Sequence, residues 1–377
     1  MAIPYSRFIV GTIPWYSVLM VLGVMAAFCL GSLEERRIGL PKDTMIDVTL
    51  VAVPCGILGA RIYYVVMNWA FFAAHPAAVF AIWEGGIAMY GSIIGGSIGV
   101  YAYCRKKKMS FAVILDMLIP GLLLAQAIGR WGNYFNAEAY GAIIGNPAFQ
   151  FFPLGVQIKE QGFYVWHMAT FFYEFVWNVC GFAALLLLKQ EKRQAGGLFL
   201  WYLLIYGSGR FIIEPLRMDS LWLGGVRISQ ALSLLLCAGA AVVLLWRAAG
   251  KRKDVFAMSC MAVCVAVARW FWANTWSYAL LMLMLAALLA GCHRQIAPSV
   301  KGKRQLFFAR HWIVAVWAVD GIGLLLAQRQ FVSAGFSHYL HMLLCSVTLP
   351  FYVLWMEKDF LNQTVTVKGE SECPSGL

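Results

Sequence analysis

Arg210 and Glu214 stand four apart in the run Tyr206-Gly207-Ser208-Gly209-Arg210-Phe211-Ile212-Ile213-Glu214. On a helix that spacing puts both side chains on one face, where the carboxylate can hold the guanidinium in place. A second arginine lies in Gly129-Arg130-Trp131-Gly132-Asn133-Tyr134-Phe135-Asn136-Ala137-Glu138-Ala139-Tyr140-Gly141. That run packs Arg130, two asparagines and Glu138 together, with glycines that allow close backbone approach. A guanidinium is a planar fork that matches two phosphate oxygens at once, so two such arginines suit a phosphate ligand. The plainer reading of any single one is a cation snorkelling to the membrane surface beside a structural ion pair. His338, His341 and Cys345 share a helical face at a spacing that could hold a metal. Three ligands without a fourth read instead as buried packing residues, and neither metal nor cofactor is expected.

The elements carrying these side chains follow from composition. Of 377 residues, 61% are apolar and only 13% charged, and the mean hydropathy is +0.71. Soluble chains carry about 25% charged residues, so too few polar groups exist to coat a water-facing surface of this size. Disorder, coiled coil, collagen and a secreted disulfide scaffold are excluded on the same grounds. The ten cysteines form no CxxC pair, so neither a zinc site nor a disulfide framework is indicated.

Apolar runs near the length of a bilayer crossing recur at 15–33, 45–67, 86–104, 111–129, 167–188, 197–214 and 228–247. Four more follow at 255–271, 275–292, 311–328 and 339–356. The fold class expected is therefore all-α: a polytopic helical membrane protein with a seven-span core and about four extra C-terminal spans. The core occupies residues 1–250 and includes a small extracytoplasmic loop subdomain at 130–166. Residues 255–360 form an additional transmembrane region and 361–377 a polar cytoplasmic tail. The first run, with no cleavage signal, acts as an uncleaved anchor.

The net charge of +12 is distributed in short clusters rather than in a basic domain, so no nucleic-acid partner is expected. Arg36, Arg37 and Lys42, then Arg105 to Lys108, then Lys189, Lys192 and Arg193, then Arg247 with Lys251, Arg252 and Lys253 all fall on one side of alternating spans. Arg7, Arg130, Lys159, Arg210, Arg217 and Arg227 are spread over the other. The positive-inside rule makes the first side cytoplasmic and the N-terminus external, which brings Arg130, Arg210 and Glu214 to the outer interface. Asp116 falls toward the cytoplasm, paired inside the bundle. Gly91, Gly95 and Gly99 form a stripe for tight helix packing.

Several of these runs resemble the prolipoprotein diacylglyceryl transferase family of bacteria, in the family's order and over most of residues 10–247. Trp15-Tyr16 is similar to its opening, and Trp83-Glu84-Gly85-Gly86-Ile87-Ala88-Met89-Tyr90-Gly91 to its third-span entry. His167-Met168-Ala169-Thr170-Phe171-Phe172-Tyr173-Glu174 resembles its fifth-span motif. The run from Gly129 to Gly141 resembles its signature, and that from Tyr206 to Glu214, with Arg217-Met218-Asp219-Ser220-Leu221 after it, its arginine motif. The resemblance implies an enzyme of the bacterial plasma membrane, active at the outer face. Such an enzyme moves the diacylglyceryl group of phosphatidylglycerol to the lipobox cysteine in the signal peptide of a prolipoprotein. A thioether forms and glycerol 1-phosphate leaves.

In that scheme Arg130 and Arg210 bind the phosphate and offset charge as the C–O bond breaks. Glu138 and Glu214 orient the arginines, and Asn133, Tyr16 and Tyr206 hydrogen-bond the headgroup. Tyr90 stands where some members carry histidine. A phenol, with an ordinary pKa near ~10, takes a thiol proton only where cations lower it, so a carboxylate, or water held by one, competes for the role of base. The family's proline near Met168 is missing, and 255–377 matches nothing. Two other readings stand beside the enzyme: a lipid-binding or transport protein reusing the core, and a homologue serving a different acceptor.

Overall fold

The computed structural model describes residues 6–82, 85–189, 194–220, 222–223 and 226–249. The four C-terminal spans and the His338, His341 and Cys345 group lie outside the described residues. The helices are α1 (Trp15–Ile38), α2 (Thr44–Met67), the short α3 (Trp69–Ala74), α4 (Met89–Lys107), α5 (Phe111–Asn136), α6 (Thr170–Leu188), α7 (Gly197–Ile213) and α8 (Ile228–Ala249). Antiparallel ribbons pair β1 (Phe8–Val10) with β2 (Ile13–Pro14), β3 (Gly155–Glu160) with β4 (Phe163–Met168), and β5 (Trp222–Leu223) with β6 (Val226–Arg227).

Each of the seven apolar runs before residue 250 is occupied by a helix. Four of these, α1, α2, α5 and α6, are both long and apolar enough to cross a bilayer. α4 is diluted by glycines and closes on Arg105, Lys106 and Lys107, while α7 has only 17 residues. Leu50, Ile62, Val66 and Ile98 point outward from α2 and α4, each at least 60% exposed. A row of apolar side chains left uncovered suits a lipid surround, where helices satisfy their own backbone hydrogen bonds.

The chain divides into two units. Among the described residues, the first comprises 6–136 with 178–199, the second 137–177 with 200–249. In the first unit α2 packs on α4 along the expected glycine stripe. A Cβ on Gly95 would come 2.8 Å from the Gly59 Cα, and one on Gly99 would come 2.7 Å from the Cys55 Sγ. α1 and α5 meet as closely, with Gly121 against Ala27 and Gly23 against Ala125. Met45, Val48, Val100, Cys104, Ile114 and Met117 form the core at one end.

Two carboxylates in this unit are met by backbone N–H groups. The Glu35 carboxylate accepts the N–H groups of Asp43 (3.0 Å) and Met45 (2.6 Å), tying the end of α1 to the start of α2. Asp116 accepts the N–H groups of Gly196 (2.7 Å) and Phe199 (2.9 Å) and so caps α7. A carboxylate at a helix N-terminus also meets the positive end of the helix dipole.

The segment expected to be a loop from residue 130 is helical as far as Asn136. Gly132 does not break α5, because the Tyr16 ring fills the space a side chain would take. Trp15 stacks on Phe135 at 4.7 Å, and Arg7 Nε donates to Asn136 Oδ1 at 2.9 Å.

In the second unit, residues 141–144 run antiparallel to β4. Gly141 N–H donates to Met168 O, Met168 N–H to Ala142 O, and Ile144 N–H to Trp166 O. The other edge of this segment is taken by residues 216–218: Ala142 N–H donates to Leu216 O (3.1 Å) and Met218 N–H to Tyr140 O (3.3 Å). Gly141 has no room for a Cβ, which would sit 2.6 Å from Leu216 O.

Candidate functional site

The second unit gathers five charged side chains. Pro215 cannot donate an N–H to a helix. α7 accordingly gives way to a single 3-10 turn, Glu214–Leu216, which sends Arg217 back beside the end of the helix. Gly209, one residue before Arg210, lies against the Trp177 indole of α6, whose Nε1 donates to Ile205 O at 2.8 Å. Gly207 lies against Cys237 of α8. The two glycines of the Tyr206–Arg210 run thus let α6 and α8 approach α7 closely, and the first approach brings Glu174 opposite Arg210.

One oxygen of Glu174, Oε1, accepts from Arg210 Nη1 at 2.7 Å and from Arg217 Nη1 at 3.1 Å. The ion pair expected from i,i+4 spacing is present, with Arg210 Nη2 2.8 Å from Glu214 Oε2, though off the line of a hydrogen bond. Arg217 closes the far end, donating from Nε and Nη2 to the two oxygens of Asp219 at 2.9 and 2.6 Å. The charges alternate: Asp219, Arg217, Glu174, Arg210, Glu214. Glu174 and Glu214 are buried, and Arg210 keeps 15% of its side chain exposed. Burial pushes the Asp219 carboxyl up, but the hydrogen bonds and charge of Arg217 outweigh it and hold the group below the usual carboxylate range.

The cluster sums to one negative charge, so it is no bare cationic patch. Anion recognition here has to come from directed donors. Arg210 meets carboxylates through Nη1 and Nη2, and its Nε has no partner among the described residues.

His167 is fully buried beside this cluster's scaffold. Its Nδ1 lies 2.9 Å from Gly141 O, a carbonyl that can only accept, so Nδ1 carries the proton. Nε2 is 3.2 Å from Glu160 Oε1, and the Tyr140 ring meets the imidazole edge-on at 4.7 Å. Burial, then Glu160, pushes the Tyr140 phenol up. Tyr206 stacks on Tyr202 at 5.5 Å.

Glu138 is exposed and takes part in no ion pair among the described residues. Ala137 and Ala139 on either side both have positive φ, 56° each, which turns the intervening side chain outward. Steadying Arg210 falls to Glu174 and Glu214. Glu174 has no role in the expectations from sequence; the signal for it there is a carboxylate inside an apolar run.

In the first unit, Arg130 and Asn133 lie one turn apart on α5, with Tyr16 against Gly132 between them. Tyr90 lies in the first turn of α4, 6.5 Å from the Tyr63 ring. Arg130 and Arg210 fall in different units, so their joint action on one phosphate stands as a proposal. Arg61, in the middle of the apolar α2, carries the same signal of a charged residue inside an apolar run.

Fold and site together define a helical, multi-pass membrane protein with a buried arginine–carboxylate cluster. The chain belongs to the prolipoprotein diacylglyceryl transferase family, whose model matches residues 6–246. It is 42% identical over 240 residues to the phosphatidylglycerol–prolipoprotein diacylglyceryl transferase of Limosilactobacillus reuteri, covering 63% of this chain and 87% of that one. The like-named protein of Halalkalibacterium halodurans is 41% identical over 242 residues (62% and 82%). That of Clostridium novyi is 39% identical over 246 residues (65% and 95%).

Proposed function

We propose that this chain transfers the diacylglyceryl group of phosphatidylglycerol to the lipobox cysteine of prolipoproteins at the outer face of a bacterial plasma membrane. The observation that carries the reading is membership of a family whose similar members are named for this transfer. The cysteine sulfur attacks a glyceryl carbon, an S–C bond forms, and the bond from that carbon to the phosphate oxygen breaks. The thiol proton passes to a base, and the phosphate leaves on glycerol 1-phosphate.

Arg210 is the proposed phosphate ligand. Glu174 and Glu214 fix its plane, so its outward N–H groups need no reorganisation as negative charge builds on the leaving oxygen. Arg217, locked onto Asp219 and Glu174, holds the other side of Glu174. Arg130, Asn133, Tyr16 and Tyr206 are proposed headgroup ligands. Glu138, turned outward, is proposed to act on substrate rather than on an arginine. Tyr90, a carboxylate or a bound water remain the candidates for the base. A seven-span core, further C-terminal spans and an external N-terminus complete the proposal.

Purified protein incubated with phosphatidylglycerol and a lipobox peptide should release glycerol phosphate and add one diacylglyceryl unit to the peptide mass. Arg210→Ala should abolish both. Glycerol phosphate without peptide modification would point to another acceptor or to lipid hydrolysis. No turnover by folded protein across several lipids and peptides would overturn the assignment in favour of lipid binding or transport.

A further inference from the structure

Arg61 lies within α2 and is 7% exposed, a position where an unmatched guanidinium would be expensive. Its partners among the described residues are backbone carbonyls. Nε donates to Val79 O at 2.9 Å, Nη1 to Gly85 O at 2.7 Å and to Gly86 O at 2.9 Å, and Nη2 to Ala78 O at 2.5 Å and to Ala81 O at 3.3 Å. A guanidinium has five N–H donors, and here each meets a carbonyl. The cation also lies 5.3 Å from the Phe72 ring centroid and 6.0 Å from that of Tyr64, a distance at which the ring faces attract it.

These carbonyls come from both ends of the segment between α3 and α4. Ala78, Val79 and Ala81 belong to or follow the 3-10 turn Pro76–Phe80. Gly85 and Gly86 lie beyond it with φ of +89° and +69°, a backbone that side-chain-bearing residues resist. Gly86 also packs on Tyr64 and on Arg61 itself. Ala60, the neighbour of Arg61, accepts the Ala88 N–H at 3.2 Å, and Ser92 N–H donates to Ala88 O. One face of α2 thereby fixes the loop and the first turn of α4, where Tyr90 sits.

We propose that Arg61 is a positioning residue for the transfer: it ties residues 78–81 to Gly85 and Gly86 and so sets where Tyr90 is presented. This rests on the transferase reading above. It explains why the position holds arginine rather than lysine. A lysine has three donors on one nitrogen and cannot reach both ends of the loop, so at least two carbonyls would lose their partner.

The test is Arg61→Lys in the full chain, with kcat and KM for phosphatidylglycerol and hydrogen exchange across the protein. Charge is retained, so a drop in kcat of ~10-fold to ~100-fold with KM unchanged is expected, the scale on which a displaced group acts. Amides 85–92 should exchange faster, while α1 and α5 keep wild-type protection. Gly86→Ala strains the same loop with Arg61 intact and should reproduce both effects, which guards against a lysine variant that does not fold. Wild-type kcat with unchanged exchange in 85–92 would overturn the proposal. So would protection lost evenly through every helix in both variants. A wild-type protein that turns nothing over would sink the transferase reading instead, whereas an active wild type indifferent to Arg61→Lys sinks only the role given to Arg61.

Discussion

Arg61 and Arg210 are both buried cations on helices, yet the two regions treat them oppositely. Around Arg61 the chain spends every donor on neutral carbonyls, so the guanidinium is sealed into the fold. Around Arg210 the two terminal nitrogens are engaged by carboxylates that fix the plane, and among the described residues its Nε edge meets no partner. The first arrangement builds shape. The second holds a donor ready for something that arrives. Burial alone, the same warning sign in each case, does not tell a structural arginine from a binding one; the inventory of donors does.

That contrast can be broken most sharply at Arg210 itself. Arg210→Lys keeps the charge and loses the fork, and turnover should fall ~10²-fold to ~10³-fold, the range for removing one preorganised donor. Near-wild-type rates would mean that charge alone suffices there. Next is Glu174→Gln, which leaves two arginines side by side without the anion between them. Turnover should fall ~10-fold to ~100-fold, and urea midpoints should drop, because a broken buried pair costs about 3–5 kcal/mol. An enzyme with intact kcat would show that Glu214 alone orients Arg210.

Gly209→Ala probes the same geometry from behind. The new methyl meets Trp177, and overpacking of this kind costs about 1–3 kcal/mol. Thermal unfolding should register that loss together with a several-fold fall in kcat. The smallest effect belongs to Asp219, half exposed at the end of the cluster. Its carboxyl is held below its ordinary value of 3.8, so its contribution to stability is complete above that pH and is lost as pH falls through the lowered value. Asp219→Asn should flatten the acid limb of the melting curve and change kcat less than ~5-fold, as for other solvent-screened pairs. A larger change in kcat would move Asp219 into the binding machinery.

Much of this was legible in the sequence, because hydrophobic runs and small spacings are local signals. Seven of the eight helices described before residue 250 fall where apolar runs put them, and Arg210 meets Glu214 as four-residue spacing requires. The α2–α4 packing follows from glycines spaced four apart. What escaped depends on partners distant in the chain. Gly132 lets a neighbour approach, but that the neighbour is Tyr16, more than a hundred residues earlier, no local pattern says. Arg61 draws its partners from an irregular loop whose carbonyl directions no residue pattern encodes. Glu174 is one carboxylate in an apolar run, and its two arginines lie 36 and 43 residues away. Glu138 is exposed between two alanines with positive φ, a backbone course that its place in the motif does not encode.

The seam between α2 and α4 has a further consequence. Gly59 faces Gly91 and Gly95 there with backbone almost touching backbone, and Gly99 seats Cys55. An acyl tail cannot pass between two helices that leave no room for a methyl group. Whatever route a lipid takes from the leaflet, that seam is a wall, and the traffic of substrate in and product out runs elsewhere around the protein's perimeter.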